Sequence, residues 1–165
     1  MGHRALHAVP VEDGYDCVRT RWGGLAVFDG SIPDPPDARR PVAERVDAVG
    51  VLRALTDVDE ALFVHGDDVA YLVRRLDVPP VAGVDPGTSV RVLLPVADGA
   101  TARRLDGDLA TAKGVLGDAV DAGLLARWMA AAYLRAFVAR HPGVRGVIWE
   151  RPERPTGSHR GKPPP

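Results

Sequence analysis

Glu60-Ala61-Leu62-Phe63-Val64-His65-Gly66-Asp67-Asp68-Val69-Ala70-Tyr71-Leu72-Val73 decides the fold class. Ala61 to Val64 reads as a buried strand. The segment beyond Val64 has two readings. Val69, Leu72, Val73 and Leu76 suit a helix capped by Asp67 or Asp68. Val69, Tyr71 and Val73 also alternate, as on the return strand of a hairpin that turns through Gly66-Asp67-Asp68. The first reading favours strands separated by helical crossovers, the second an antiparallel sheet.

Upstream, Leu6–Val11 and Tyr15–Trp22 are strand-like runs on either side of Glu12-Asp13-Gly14. Asp-Gly between apolar runs is a strong hairpin signal because both turn positions accept positive φ. Centring the turn on Asp13-Gly14 puts Cys17 opposite Pro10. Gly23-Gly24 then bends the chain and Leu25–Phe28 continues as a short strand. Pro33, Pro35, Pro36 and Pro41 forbid helix across residues 30–41. Val42, Val46, Val49, Leu52 and Leu55 predict a helix that closes at Asp57.

Downstream, Pro79-Pro80 and Asp85-Pro86-Gly87 bracket a loop, and Thr88–Val96 is a buried strand. Asp106–Asp121 is helical despite its glycines. Gly123–Arg140 is the strongest helix, with Leu124, Leu125, Trp128, Met129, Leu134, Phe137 and Val138 over a broad face. Val144–Trp149 makes a last strand.

A second clue comes from resemblance. Met1-Gly2-His3-Arg4-Ala5-Leu6, then Asp13-Gly14-Tyr15-Asp16 and Trp22-Gly23-Gly24, resembles the opening of a family of uncharacterised haloarchaeal proteins. Glu60–Val64 with Ala70-Tyr71-Leu72 is similar to an extended stretch of the same family, which favours the hairpin for residues 69–76. The resemblance covers the N-terminal half and implies a lineage but no activity. The resulting expectation is an α+β domain over residues 1–150, with a mainly antiparallel sheet built from hairpins and two or three packed helices.

The chain has 165 residues and a formal net charge of −1. Residues 1–150 carry −4, and residues 151–165 carry +3 from Arg151, Arg154, Arg160 and Lys162 against Glu153. This last segment has five prolines and no apolar pattern, so it reads as a disordered basic tail. Nucleic-acid binding is discouraged for the acidic body and confined to the tail, whose four cations neutralise about four phosphates at most. No apolar run reaches the roughly 18 residues of a membrane span. Cys17 is the single cysteine, which excludes an intrachain disulfide and favours a cytoplasmic setting.

The candidate chemistry is sparse, and no catalytic motif settles whether the chain is an enzyme. Phosphate-loop, dinucleotide-binding and serine-elbow motifs are absent. His65, Asp67 and Asp68 put an imidazole and two carboxylates at a strand end. With Asp57, Asp59 and Glu60 before the same strand they can offer oxygen ligands to a divalent cation; the plainer reading is turn chemistry. His3 and His7 lie four apart on one strand face. With Cys17 they suggest a soft-ligand metal site, or Cys17 as a nucleophile assisted by His7; the plainer reading of Cys17 is a small buried apolar residue. Removal of Met1 leaves an amino-terminal Gly-His, and its retention leaves His3 in third position; either arrangement can chelate copper, and the plainer reading is that His3 merely starts a strand. These residues leave the cofactor unknown. Trp22 belongs to the Trp-Gly-Gly segment.

Three functional readings result. The leading one is a non-catalytic protein acting through a protein partner or self-association, with Trp128, Tyr133 and Phe137 at the interface. The second is a small metal- or cysteine-dependent hydrolase using His65/Asp67/Asp68 or Cys17/His7. The third is nucleic-acid binding through the tail.

Overall fold

The computed structural model describes residues 3–37, 40–76, 90–144, 146 and 148–150. The basic tail, the amino-terminal Met1-Gly2 and the loop read over residues 79–87 lie outside them.

A seven-stranded sheet organises the molecule, in the order β3-β2-β1-β4-β5-β6-β7. The strands are β1 (Arg4–Val11), β2 (Gly14–Thr20), β3 (Ala43–Val46), β4 (Asp59–Val64), β5 (Val69–Arg75), β6 (Arg91–Val96) and β7 (Ile148–Glu150). The helices are α1 (Ala26–Asp29), α2 (Ala48–Ala54), α3 (Gly99–Asp121) and α4 (Arg127–Arg140). Every strand pairing is antiparallel except that of β1 with β4. The fold is therefore α+β, with a mostly antiparallel sheet.

The Glu60–Val73 stretch is a hairpin: Val64 pairs with Val69 across a four-residue turn. Gly66 and Asp68 take positive φ there, +94° and +52°. Alternation wins over helical spacing because each strand has a packed side on both faces of the sheet. Ala61, Phe63, Ala70 and Leu72 join a core with Val92, Leu94, Leu105 and Leu134 beneath α1, α3 and α4. Leu62 and Val73 join Leu6, Ala8, Cys17 and Leu93 on the other face, under Val51 of α2 and Leu55 just past its end.

Four local expectations are corrected. The first hairpin turns on Glu12-Asp13, with Val11 opposite Gly14 and Ala8 opposite Cys17. Gly14 is in the strand itself at φ +140°, where a Cβ would collide with the Val46 carbonyl of β3; the glycine serves that close approach rather than the turn. Leu25–Phe28 is helical: a 3₁₀ turn over Gly23–Leu25 runs into α1, which Gly30 ends in the left-handed conformation.

The predicted helix from Val42 to Leu55 is two elements. Residues 43–46 pair with β2, and the helix starts only after Asp47, whose side chain accepts from Gly50 N at 2.8 Å. Finally, Gly123 lies outside α4 and closes α3. It sits at φ +71°, with Leu124 N donating to Ala119 O and Gly123 N donating to Val120 O. This pair of bonds satisfies two carbonyls at the helix end and starts a tight turn into α4.

Candidate functional site

The parallel β1–β4 junction brings together two histidines 58 residues apart in sequence. Ala5 pairs with Ala61 and Ala8 with Val64, so His7 of β1 comes beside His65 just past the end of β4. His7 Nδ1 lies 3.0 Å from His65 Nε2, and the two rings are within 9° of parallel. His7 Nε2 lies 3.1 Å from the Thr20 hydroxyl of β2. Both histidines are buried, and Phe63 packs on the His7 ring at 5.2 Å.

These contacts form a chain in which each imidazole can donate one hydrogen bond and accept one while neutral. Protonating both rings would put two donors face to face in an apolar surround. Burial, and then the nearby His65, lower the His7 pKa to about 4. Burial lowers that of His65 as well, against the opposing pull of Asp68 and Asp34. Gly23 closes this network from above: a Cβ there would run into the Thr20 hydroxyl and come within 3.1 Å of His7 Nε2. The network thus ties three strands together under a tight backbone cover.

The structure separates the other sequence-predicted site residues. Cys17 is buried on the α2 face, opposite to the His7 face, so the Cys17/His7 nucleophile and the His3/His7/Cys17 metal set are not assembled. Burial raises the Cys17 thiol pKa; Asp16 adds to the effect and Arg19 opposes it. His3 pairs instead with Glu60, at 2.7 Å. Asp67 and Asp68 are exposed turn residues, and Trp22 is exposed beside the Gly23-Gly24 bend.

Asp57, Asp59 and Glu60 lie at the opposite end of β4 from His65, about 20 Å away at ~3.3 Å per residue; one cation cannot bridge them. Among the described residues, no three His, Cys, Asp or Glu side chains gather to hold a metal ion. Thr20 was not singled out by sequence, although its strand parity already places it on the His7 side.

Asp59 has a different role. Its carboxylate is buried and held by the Arg19 guanidinium at 2.8 and 3.0 Å, and by Thr56 N and Oγ1 at 2.7 and 2.9 Å. Beside it, a polar cleft of about 390 Å³ opens between the start of β4, the end of β5, the start of β6 and α3. Arg74, Arg75, Arg91 and Lys113 line it, together with Asp57, Asp59, Glu60 and Asp106.

A third feature is the helical hairpin. In α3 only Gly99, Ala102, Leu105 and Leu109 are buried, all in its first half. In α4 the buried residues are Ala130, Leu134 and Val138, so it packs along one edge rather than serving as a surrounded central helix. The hairpin leaves Val115 (64%) of α3, Leu124 (81%) of the connection, and Trp128 (73%) and Tyr133 (58%) of α4 exposed. Nearby, α4 carries Arg127, Arg135 and Arg140 and no acidic residue, whereas the last turn of α3 holds Asp118 and Asp121. Among the described residues, no helix is long and apolar enough to cross a membrane.

No protein-family model, curated protein or solved structure matches the chain.

Proposed function

We propose that this protein is a self-associating module, dimerising through the outer side of the α3–α4 hairpin and acting by association rather than by catalysis. The observation that supports this is the exposure of Val115 on α3, Leu124 on the connection, and Trp128 and Tyr133 on α4, each more than half exposed. Apolar residues scattered singly on a surface need no explanation, but aromatic and aliphatic side chains grouped on one supersecondary unit mark an interface. A helix apolar on most of its circumference is ordinarily surrounded. Here Ala130, Leu134 and Val138 are buried, whereas Trp128 and Tyr133 of the same helix stay open.

Charge complementarity selects a second copy as the occupant. A two-fold axis through the middle of α4 sets the two α4 helices antiparallel. The acidic end of α3, with Asp118 and Asp121, then falls beside the arginine end of the partner's α4, with Arg135 and Arg140. The same arrangement repeats on the other side of the axis.

The location we propose is the cytoplasm, supported by the single buried cysteine. The lineage we propose is the haloarchaeal family that the opening hexapeptide and the Trp-Gly-Gly segment resemble.

Size-exclusion chromatography with light scattering tests the reading on the intact chain and on Leu124→Asp and Trp128→Asp variants. Both positions are exposed, so the variants should fold. The native protein is expected to run at twice the chain mass and both variants at the chain mass, with unchanged circular dichroism. A native protein that stays at the chain mass, or variants that remain dimeric, would exclude this interface.

A further inference from the structure

The segment from Gly23 to Gly30 lies across the Thr20–His7–His65 network and is fastened at both ends by contacts too close for a Cβ. At its start Gly24 N donates to His3 O at 2.9 Å, and a Cβ on Gly24 would come within 2.9 Å of the Arg4 carbonyl. Gly23 covers the network itself, next to the Thr20 hydroxyl and His7 Nε2. At its end Gly30 takes φ +71°, and a Cβ there would come within 2.8 Å of Gly99 N at the start of α3. Between these points Val27 is buried, and Ala26 and Phe28 pack on the core that holds Ala5 and Phe63.

Three of the four ring nitrogens beneath the segment are in hydrogen bonds: His7 Nδ1 with His65 Nε2 at 3.0 Å, and His7 Nε2 with Thr20 Oγ1 at 3.1 Å. Neutral rings share one proton between Nδ1 and Nε2, and the Thr20 hydroxyl matches either tautomer of His7. A first extra proton is accommodated on His65 Nδ1. His65 Nε2–H then donates to His7 Nδ1, and His7 Nε2–H donates to Thr20 Oγ1. A second proton has only His7 Nδ1 to occupy, where it faces His65 Nε2–H with no acceptor between them. The charged groups that act on the pair are Asp68 of the β4–β5 turn and Asp34 beyond α1, and both act on His65. What faces His7 is neutral: Thr20 from β2, Phe63 from β4 and the Gly23 backbone. The strand ladders fix β1, β2 and β4, so the Gly23 cover is the side that can yield.

We infer that Gly23–Gly30 is an acid-released strap, closed over the histidine pair while the pair holds one proton or none, and swinging off at its Gly23-Gly24 end, hinged at Gly30, when the second proton arrives. Opening uncovers Val27 and the His7–Phe63 side of the core. The strap's backbone tie to the sheet is the Gly24–His3 bond, so the strands stay paired. It carries none of the residues assigned to dimerisation. Burial lowers the proton affinity of both rings, that of His7 to a pKa of about 4. In the open state the ring regains water and titrates nearer its ordinary 6.5. Between these values the open state holds the extra proton, so opening grows about tenfold for each unit fall in pH.

Hydrogen–deuterium exchange with mass spectrometry on the full chain, at pH 7.0, 6.0 and 5.0 and corrected for intrinsic exchange rates, reads this opening. Peptides spanning residues 23–31 should lose protection about tenfold per pH unit and stay at least about tenfold less protected than β5 and β6. Dilute urea at pH 5.0 should speed exchange in β5 and β6, which open by global unfolding, and leave the strap nearly unchanged, because its opening exposes little surface. His65→Gln, whose amide oxygen accepts from a protonated His7, should flatten the pH response of the strap. The native comparison stands by itself if that variant does not fold. Strap protection that is independent of pH overturns the inference. So does a strap that shares the protection and urea response of β5 and β6, or a folded His65→Gln variant with an undiminished response.

Discussion

Acid should weaken this protein before its carboxylates titrate, and the buried His7–His65 pair sets the size of the effect. The folded-state pKa of His7 is about 4, against 6.5 for an ordinary histidine. Below pH 6.5 the unfolded chain therefore takes up a proton that the folded chain refuses until near pH 4. The unfolded state binds more protons across this window, so stability falls as pH falls. At 1.36 kcal/mol per pKa unit, His7 alone opposes folding by about 2 kcal/mol at pH 5 and about 3 kcal/mol below pH 4. His65 is shifted in the same direction and adds to this.

Against a total stability of about 5–15 kcal/mol such a loss is large. Urea midpoints followed by tryptophan fluorescence at pH 7.5, 6.5, 5.5 and 5.0 measure it. The control is the double variant His7→Gln, His65→Gln, which keeps hydrogen-bonding groups and removes the titration. The native midpoint should drop steeply between pH 6.5 and 5.0 and that of the variant should stay nearly flat. Equal slopes would refute the assignment of neutral, proton-refusing histidines at this junction.

The packing carries two more predictions. Arg19→Ala should cost about 3 kcal/mol or more, because it leaves the Asp59 carboxylate buried without its cation; chemical denaturation checks this, and a loss under about 1 kcal/mol would mean that Thr56 alone holds the carboxylate. Cys17, fully buried with its thiol pKa raised, should resist iodoacetamide in native buffer and react at once in denaturant. Rapid native labelling followed by mass spectrometry would contradict its placement under α2.

Local chemistry made much of this fold legible. The hairpins β1–β2 and β4–β5, the strand β6 and both long helices arise from alternation, turn residues and apolar periodicity. The misreadings share a cause: apolar spacing does not show where one element ends and the next begins. Val42, Val46, Val49, Leu52 and Leu55 fit a single helix, but Asp47 caps the chain partway along and leaves Val46 in a strand. Gly23-Gly24 announces a bend without saying whether the chain stays in the sheet.

Strand parity held more information than the exact register. Whether the first hairpin turns on Asp13-Gly14 or on Glu12-Asp13, His7 faces an even-numbered residue, so Cys17 points away and Thr20 shares its side. The His7–His65 contact was not legible, because it depends on the register of the parallel β1–β4 pairing, which no local pattern specifies. The charged cleft was likewise hidden. Arg75 and Arg91 meet one carboxylate, that of Asp57, because the β5–β6 pairing sets them side by side.

The central claim is that the exposed apolar side of the α3–α4 hairpin is covered by a second copy of the chain. Sedimentation equilibrium of the native protein across a wide concentration range tests it most directly. The expected result is a species of twice the chain mass that dissociates on dilution, and that is lost across the whole range in Trp128→Asp. A native protein that sediments at the chain mass at every concentration would contradict the account.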